Sequence, residues 1–320
     1  MGLEESVIVH VPFISIPSPT FYSKTLMKLS IVTTAFALIC LPALAQTTVE
    51  QMKALNWDKT HRGTPLDMSK YEQTFIDNFD KMSVTVDGGA GPWFAPVHST
   101  FGAGKFVPPG PDGPYTIADG KLTLSSDKTI DSKGKGRWTS CNMQTVDGKG
   151  QGFAQQYGYF EISYEAPPGP GTWLGFWLLS QNGYTDTTKT RTEIDVVEWY
   201  GGDARGVHTT VHLWPAAKAA PGGTVEKHVG RANYFNLAPI LTEGKLQGFH
   251  TYGVEVTPDL VIGYFDRKET GRFPTLPEFK TPLYMLITNA VFPKQADLGQ
   301  SPMKMVVDYV AAYKPKDGTK

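Results

Sequence analysis
Three acids stand within six positions, Glu193, Asp195 and Glu198, in the segment Thr192-Glu193-Ile194-Asp195-Val196-Val197-Glu198-Trp199-Tyr200. The β-branched residues between them predict a strand, on which side chains alternate faces. Glu193 and Asp195 then point the same way. Glu198, at an odd offset from Glu193, points the other way unless one extra residue is inserted. A β-bulge at Val196-Val197 restores the parity and sets all three acids on one face. Like charges on one strand face repel, so stability alone does not select this arrangement. Hydrolysis of a glycosidic bond by a retaining mechanism does use it. That chemistry needs a nucleophilic carboxylate and a proton-donating carboxyl about 5–5.5 Å apart. A neighbouring negative charge helps the donor keep its proton. The same trio also suits a metal site or a solvated acidic edge strand, and both readings stay open on these residues alone.

A cleft that holds a sugar also needs flat apolar surfaces. Trp173 and Trp177 are four apart on a predicted strand, so they share a face, while Leu174, Phe176 and Leu178 share the other. The aliphatic face is the better core filler, which leaves two indoles to stack on sugar C–H faces. Trp199 follows Glu198, and for it core packing and substrate contact are balanced. His208 and His212 also share a strand face. Two histidines with no acid at matching spacing make a poor zinc site.

The elements that must position these groups are short. Apolar or alternating runs separated by Gly, Pro, Asn and Asp occupy Gly120–Leu124, Tyr157–Tyr164, Thr172–Leu179, Thr192–Tyr200, Val207–Trp214, Thr251–Val256, Leu260–Asp266, Pro282–Thr288 and Met303–Tyr313. Many short strands between turn signals predict an all-β jelly-roll sandwich of two antiparallel sheets. Only residues 47–56 carry a helical pattern. The Gly/Pro-rich stretch Gly88–Pro114 reads as a surface excursion anchored by Trp93, Phe94 and Phe101.

Composition narrows the partners. The 320 residues carry 30 basic and 31 acidic side chains, a net charge of −1, with 40% hydrophobic and 12% aromatic residues. That balance excludes intrinsic disorder and argues against nucleic acid or an anionic membrane surface as partner. From Met27, a lysine, the apolar run Leu29–Leu41 and the ending Ala43-Leu44-Ala45 form a secretory signal. The expected cleavage follows Ala45, which makes residues 1–45 an upstream segment and signal peptide and residues 46–320 the catalytic domain. Residues 1–26 carry no such logic and read as an over-extended start. Cys141 is then the only cysteine of the mature chain. The expected protein is secreted or periplasmic, and a monomer.

Glu193-Ile194-Asp195-Val196-Val197-Glu198 resembles the bulged signature of glycoside hydrolase family 16, the group of laminarinases, agarases and carrageenases. Tyr157–Glu161 with Gly171–Leu179 resembles the two strands before the catalytic one, and Val207–His212 the strand after it. Phe249–Asp259 and Val307–Val310 resemble later landmarks, so the likeness runs over residues 75–313. It implies a jelly roll with an open cleft, retaining double displacement, Glu193 as nucleophile, Glu198 as general acid then base, and Asp195 as their modulator. It also implies Trp173 and Trp177 at the donor side of the cleft, His212 near Glu198, and Arg137 and Asn142 before a strand that lines the cleft. Asn142 departs from a position often basic in similar enzymes, and Thr288-Asn289-Ala290 and Val256 depart as well. No cofactor is expected for catalysis, and Asp308 corresponds to a ligand for a structural Ca²⁺ in several relatives.

The implied substrate is a polysaccharide. With only Arg191 and Arg205 near the acids, a β-1,3- or β-1,3/1,4-glucan is preferred to a sulfated galactan. The alternatives are an agarase- or carrageenase-like enzyme, an exopolysaccharide depolymerase, a transglycosylase on the same scaffold, and a non-catalytic carbohydrate-binding jelly roll.

Overall fold
A computed structural model describes residues 47–316, apart from 87–90, 96–100, 112, 131, 167–168, 204 and 217–226. The chain divides into Met1–Ala43 and Leu44–Lys320, and every described residue belongs to the second unit. The expected signal peptide and its cleavage point lie outside the described residues.

Among the described residues the strands form two sheets. One runs in the order Lys268–Pro274, Leu260–Phe265, His250–Val256, Gly158–Glu165, Met303–Pro315, Lys121–Ser126 and Tyr115–Ala118, with Tyr71–Asp77 also on Met303–Pro315. The second runs Val229–Asn236, Gly206–Trp214, Arg191–Tyr200, Thr172–Ser180, Leu283–Val291, Gly136–Gln144, Trp93–Phe94 and Val84–Thr85. The architecture is the expected jelly-roll sandwich. Pairing is antiparallel except at Val84–Thr85 with Trp93–Phe94 and at Gly104–Phe106 with Gly136–Gln144, which are parallel.

The core lies between the sheets. On Thr172–Ser180, Leu174, Phe176 and Leu178 are fully buried, and with Ile194, Val211 and Leu213 of the neighbouring strands they join the inward cluster. Sequence parity therefore assigns the faces of this strand correctly, because a one-residue slip would have exchanged them. The short helix Val49–Ala54 begins on a capping box: Thr48 accepts from the Gln51 backbone and Gln51 reaches back to the Thr48 N–H. The Gly88–Pro114 region is more than a surface excursion in its described parts. Trp93 and Phe94 are buried strand residues, and Phe101 lies against the rings of Trp173 and Trp177.

Among the strands that the sequence pattern does not announce are two at sheet edges, Val229–Asn236 and Lys268–Pro274. Their sequences, VGRANYFN and KETGRFP, mix charged and apolar residues without clean alternation. Among the described residues, no helix is long and apolar enough to cross a membrane. Cys141 is buried and not in a disulfide, its Sγ 3.1 Å from the Ser125 carbonyl oxygen.

Candidate active site
The strand Arg191–Tyr200 lies inside its sheet, paired with Thr172–Ser180 on one side and Gly206–Trp214 on the other. Both ladders slip at the same place. On one side Phe176 faces Val197 while Trp177 faces Asp195; on the other Asp195 faces Thr210 while Glu198 faces His208. One residue too many sits between Asp195 and Glu198, which is the expected bulge. Thr209 donates its hydroxyl to the Val196 carbonyl at 3.0 Å, giving a backbone acceptor within the bulge a partner.

The slip brings Glu193, Asp195 and Glu198 to the wall of one cavity of about 450 Å³. A second cavity of about 570 Å³ shares Phe101, Trp177, Glu193 and Trp214 with it and continues past Arg191 and Tyr184. Together they form an open groove across the outer face of the sheet, aromatic on its sides and acidic at its centre.

Each carboxyl is held by named donors. The Trp214 indole N–H donates to Glu193 Oε2 at 3.0 Å. Glu198 Oε1 accepts from the Tyr200 hydroxyl at 2.7 Å and the Trp173 indole N–H at 3.2 Å. Asp195 Oδ2 lies 2.8 Å from His212 Nε2, and the other nitrogen of that ring, Nδ1, lies 2.8 Å from His228 Nε2. His228 in turn stacks on Trp214 with ring centroids 3.8 Å apart.

Burial sets the protonation of this group. Glu193 is pushed up to about 8, first by desolvation and then by the charge of Asp195. Asp195 is raised well above the usual carboxylate range by its own burial and by the charge of Glu198, while a hydrogen bond with Glu193 pulls it back. Desolvation lowers His212, against the pull of Glu193 and Glu198, and it lowers His228 as well. The two histidines are therefore neutral near pH 7, and the acid pair holds a proton.

Among the described residues, Glu193, Asp195 and His212 are the one group of three whose ligand atoms come within 4.8 Å of one another. His212 Nε2 is engaged by Asp195 and Glu193 Oε2 by Trp214, so the trio is arranged as a hydrogen-bonded set. The expected calcium ligand, Asp308, meets the Lys121 ammonium at 3.5 Å. A cation already occupies that side of the carboxylate, which fits a Ca²⁺ shell poorly.

Trp173 and Trp177 stand on the groove face as their spacing predicts, although their indole N–H groups are engaged. Trp173 serves Glu198, and Trp177 donates to the Thr288 hydroxyl at 2.9 Å. Three expectations need correction. Trp199 is 1% exposed and packs in the core, so it is not a substrate contact. Asn142 is 1% exposed and accepts from Thr288 at 3.0 Å, which places it beneath the groove, propping the residue that holds Trp177. Arg137 is exposed on Gly136–Gln144 and does not line either cavity. His212 lines the cavity beside Glu198, while its hydrogen bond goes to Asp195 and its ladder partner is Glu193; the histidine directly opposite Glu198 is His208.

Trp214, His228 and Thr288 also line the groove, and sequence reasoning does not single them out as site residues. Parity alone is enough to find Trp214, two residues beyond His212 on the same strand face. His228 has no such signal, since it precedes an edge strand whose pairing the sequence does not reveal.

The comparisons with known proteins agree with this geometry. Glycosyl hydrolases family 16 matches the chain over residues 112–309. The endo-1,3-1,4-beta-glycanase EglC of Rhizobium meliloti (strain 1021) is 30% identical over 292 residues, covering 84% of this chain and 56% of that protein. The beta-glucanase of Rhodothermus marinus is 28% identical over 179 residues, 49% of this chain and 57% of that protein. The chain thus spans little more than half the length of these relatives. Among solved structures, SCLam, a non-specific endo-beta-1,3(4)-glucanase, superposes with a TM-score of 0.61 at 18% identity, covering 81% of this chain and 97% of that one. The laminarinase catalytic domain of Thermotoga maritima MSB8 superposes with a TM-score of 0.58 at 22% identity, covering 78% and 100%.

Proposed function
The chain belongs to family 16 of the glycosyl hydrolases, and we propose that it is an endo-acting retaining hydrolase cleaving internal β-linkages of a β-1,3- or mixed β-1,3/1,4-glucan. The observation that carries this reading is one open groove with Glu193, Asp195 and Glu198 at its centre and indole rings beside them. An open groove admits the middle of a polymer. The name of one relative, beta-glucanase, favours a glucan, and that of another, endo-1,3-1,4-beta-glycanase, names the linkages. So does the scarcity of cations, since Arg191 is the one cationic side chain among the described residues lining the two cavities.

In this mechanism Glu193 attacks the anomeric carbon while Glu198 gives its proton to the departing glycosidic oxygen. A covalent glycosyl ester on Glu193 results. Glu198, now a carboxylate, then takes a proton from water, and the water oxygen displaces the ester with net retention. Glu193 must be anionic to attack, which leaves the proton that the buried pair holds on Asp195. Trp214 fixes Oε2 of the nucleophile, which leaves Oε1 to form the ester. Tyr200 and Trp173 donate to Oε1 of Glu198, which leaves the acid proton to Oε2, with the Thr210 hydroxyl 3.5 Å from it. Every step in this scheme is carried by side chains and water.

The proposal extends to export, with Met27–Ala45 as a cleaved signal, and to a monomer in solution. N-terminal sequencing of protein recovered from the culture medium tests the first, and light scattering the second. The central test is product release by the purified chain from laminarin, lichenan, agarose, κ-carrageenan and an acidic exopolysaccharide, with Glu193→Gln as control. Oligosaccharides from laminarin or lichenan, absent with the variant, support the reading. Binding to these glucans without any product would replace it with a carbohydrate-binding role. Products longer than the starting oligosaccharide would make the enzyme a transglycosylase.

A further inference from the structure
His228 touches both of the side chains that hold the buried acid pair. Its Nε2 lies 2.8 Å from Nδ1 of His212, whose Nε2 lies 2.8 Å from Asp195. Its ring also stacks at 3.8 Å on Trp214, whose N–H ends on Glu193. The backbone makes room for this contact at one position. Gly230 lies directly opposite His212 in the ladder, and a Cβ there would fall 2.5 Å from His212 Nδ1. Any side chain at 230 would drive the imidazole out of line.

We propose that His228 is a positioning residue for the hydrolysis: it fixes the tautomer of His212 and braces Trp214, and through them orients Asp195 and Glu193. The inference rests on the hydrolase reading for its kinetic consequence, though not for its structural one.

The tautomer of His212 follows from counting protons. A neutral imidazole carries one N–H, and a hydrogen bond at one nitrogen decides the role of the other. In the arrangement we propose, His228 donates Nε2–H to Nδ1 of His212, so the His212 proton resides on Nε2 and is donated to Oδ2 of Asp195, an oxygen that can accept whether or not Asp195 holds the proton of the pair. With no donor at 228, His212 is free to carry its proton on Nδ1. Nε2 then becomes a lone pair facing Asp195, and the anionic acid pair loses a donor. A carboxylate deprived of a donor binds its proton more tightly. The groups facing this chain are Glu193, Asp195 and Glu198 from the carboxylate strand and His212 from the next; His208 and Tyr200 flank Glu198 on its far side.

Two substitutions separate the contacts. His228→Phe keeps a ring over Trp214 and removes the donor, whereas His228→Gln keeps an N–H donor and removes the ring. For His228→Phe we expect kcat on lichenan near pH 6 to fall about tenfold, KM to change by less than about twofold, and the acid limb of kcat/KM to move up by about half a pH unit. His228→Gln should return the acid limb toward that of the wild type. Independently of any substrate, imidazole ¹⁵N shifts should show His212 as the Nε2–H form in the wild type above the acid limb, with the Nδ1–H form appearing in His228→Phe. An unchanged His212 tautomer in His228→Phe, or a loss confined to KM, would overturn the proposal. If the wild-type chain cleaves no glucan, the hydrolase reading fails and the ¹⁵N measurement still decides the role of His228.

Discussion

Trp214 donates its indole N–H to Oε2 of Glu193 at 3.0 Å, so an aromatic side chain on the neighbouring strand selects which oxygen of the proposed nucleophile meets the sugar. A hydrogen bond to a charged group contributes about 1.5–3 kcal/mol, and here it is made to the anion that must attack. Trp214→Phe keeps most of the ring and deletes the donor. We expect kcat to fall about ten- to a hundredfold, the equivalent of that bond, with the thermal midpoint nearly unchanged. Steady-state kinetics beside a melting curve provide the check; a loss seen only in KM would make Trp214 a sugar platform instead.

The roles of the two glutamates differ in the product each variant can form. Glu193→Ala leaves a space on the nucleophile side, where azide can attack the sugar once and yield an azide of inverted configuration. Glu198→Ala leaves the nucleophile working, so azide intercepts the glycosyl ester and gives the retained configuration. Without azide, and with substrates whose leaving group needs protonation, both variants should lose at least about a thousandfold in kcat. The configuration of the azide product, read by NMR, assigns the roles. The same configuration from both variants would refute the assignment.

Glu193 gives a stability prediction with a definite sign. Its carboxyl is pushed up to about 8 in the folded chain, against an ordinary value of 4.5. Between those two values the folded chain holds a proton that the unfolded chain has released, so stability falls as pH rises from about 4.5 to about 8 and then levels off. Below 4.5 both states are protonated and the group has no effect. Glu193→Gln removes the charge that burial penalises. It should melt with the wild type near pH 4 and several degrees above it near pH 8. Parallel melting curves at all pH values would show that Glu193 ionises without strain.

Much of this site was legible in the sequence because it depends on parity. Acids at 193, 195 and 198 meet on one face only if a residue is inserted, and the ladders slip at that point. Trp173 and Trp177 follow from the same period of two, as does the burial of Leu174, Phe176 and Leu178. What parity cannot supply is the neighbour across a ladder. Resemblance sets His212 near Glu198, and only register shows that its ladder partner is Glu193. Asn142 reads as a subsite residue, whereas its carboxamide lies under Thr288. His228 depends on the pairing of an edge strand that the sequence pattern does not announce. Alternation along a strand is written in one segment, while register is a relation between two.

Trp199 and Trp177 lie on adjacent strands and test that distinction between faces. Trp199 is 1% exposed within the core, and Trp177 lies on the groove with its N–H on Thr288. Removing a buried indole leaves a cavity, and Trp→Ala in a core costs about 3–5 kcal/mol. Trp199→Phe is a milder cut, which should lower the melting midpoint by several degrees while KM stays within about twofold. Trp177→Ala should do the reverse, because a stacking platform in a groove contributes to substrate affinity and little to the fold. We expect its KM for a glucan to rise by about fivefold or more, with a melting shift smaller than that of Trp199→Phe. If Trp199→Phe instead raises KM at an unchanged melting midpoint, the indole reaches substrate and its assignment to the core is wrong.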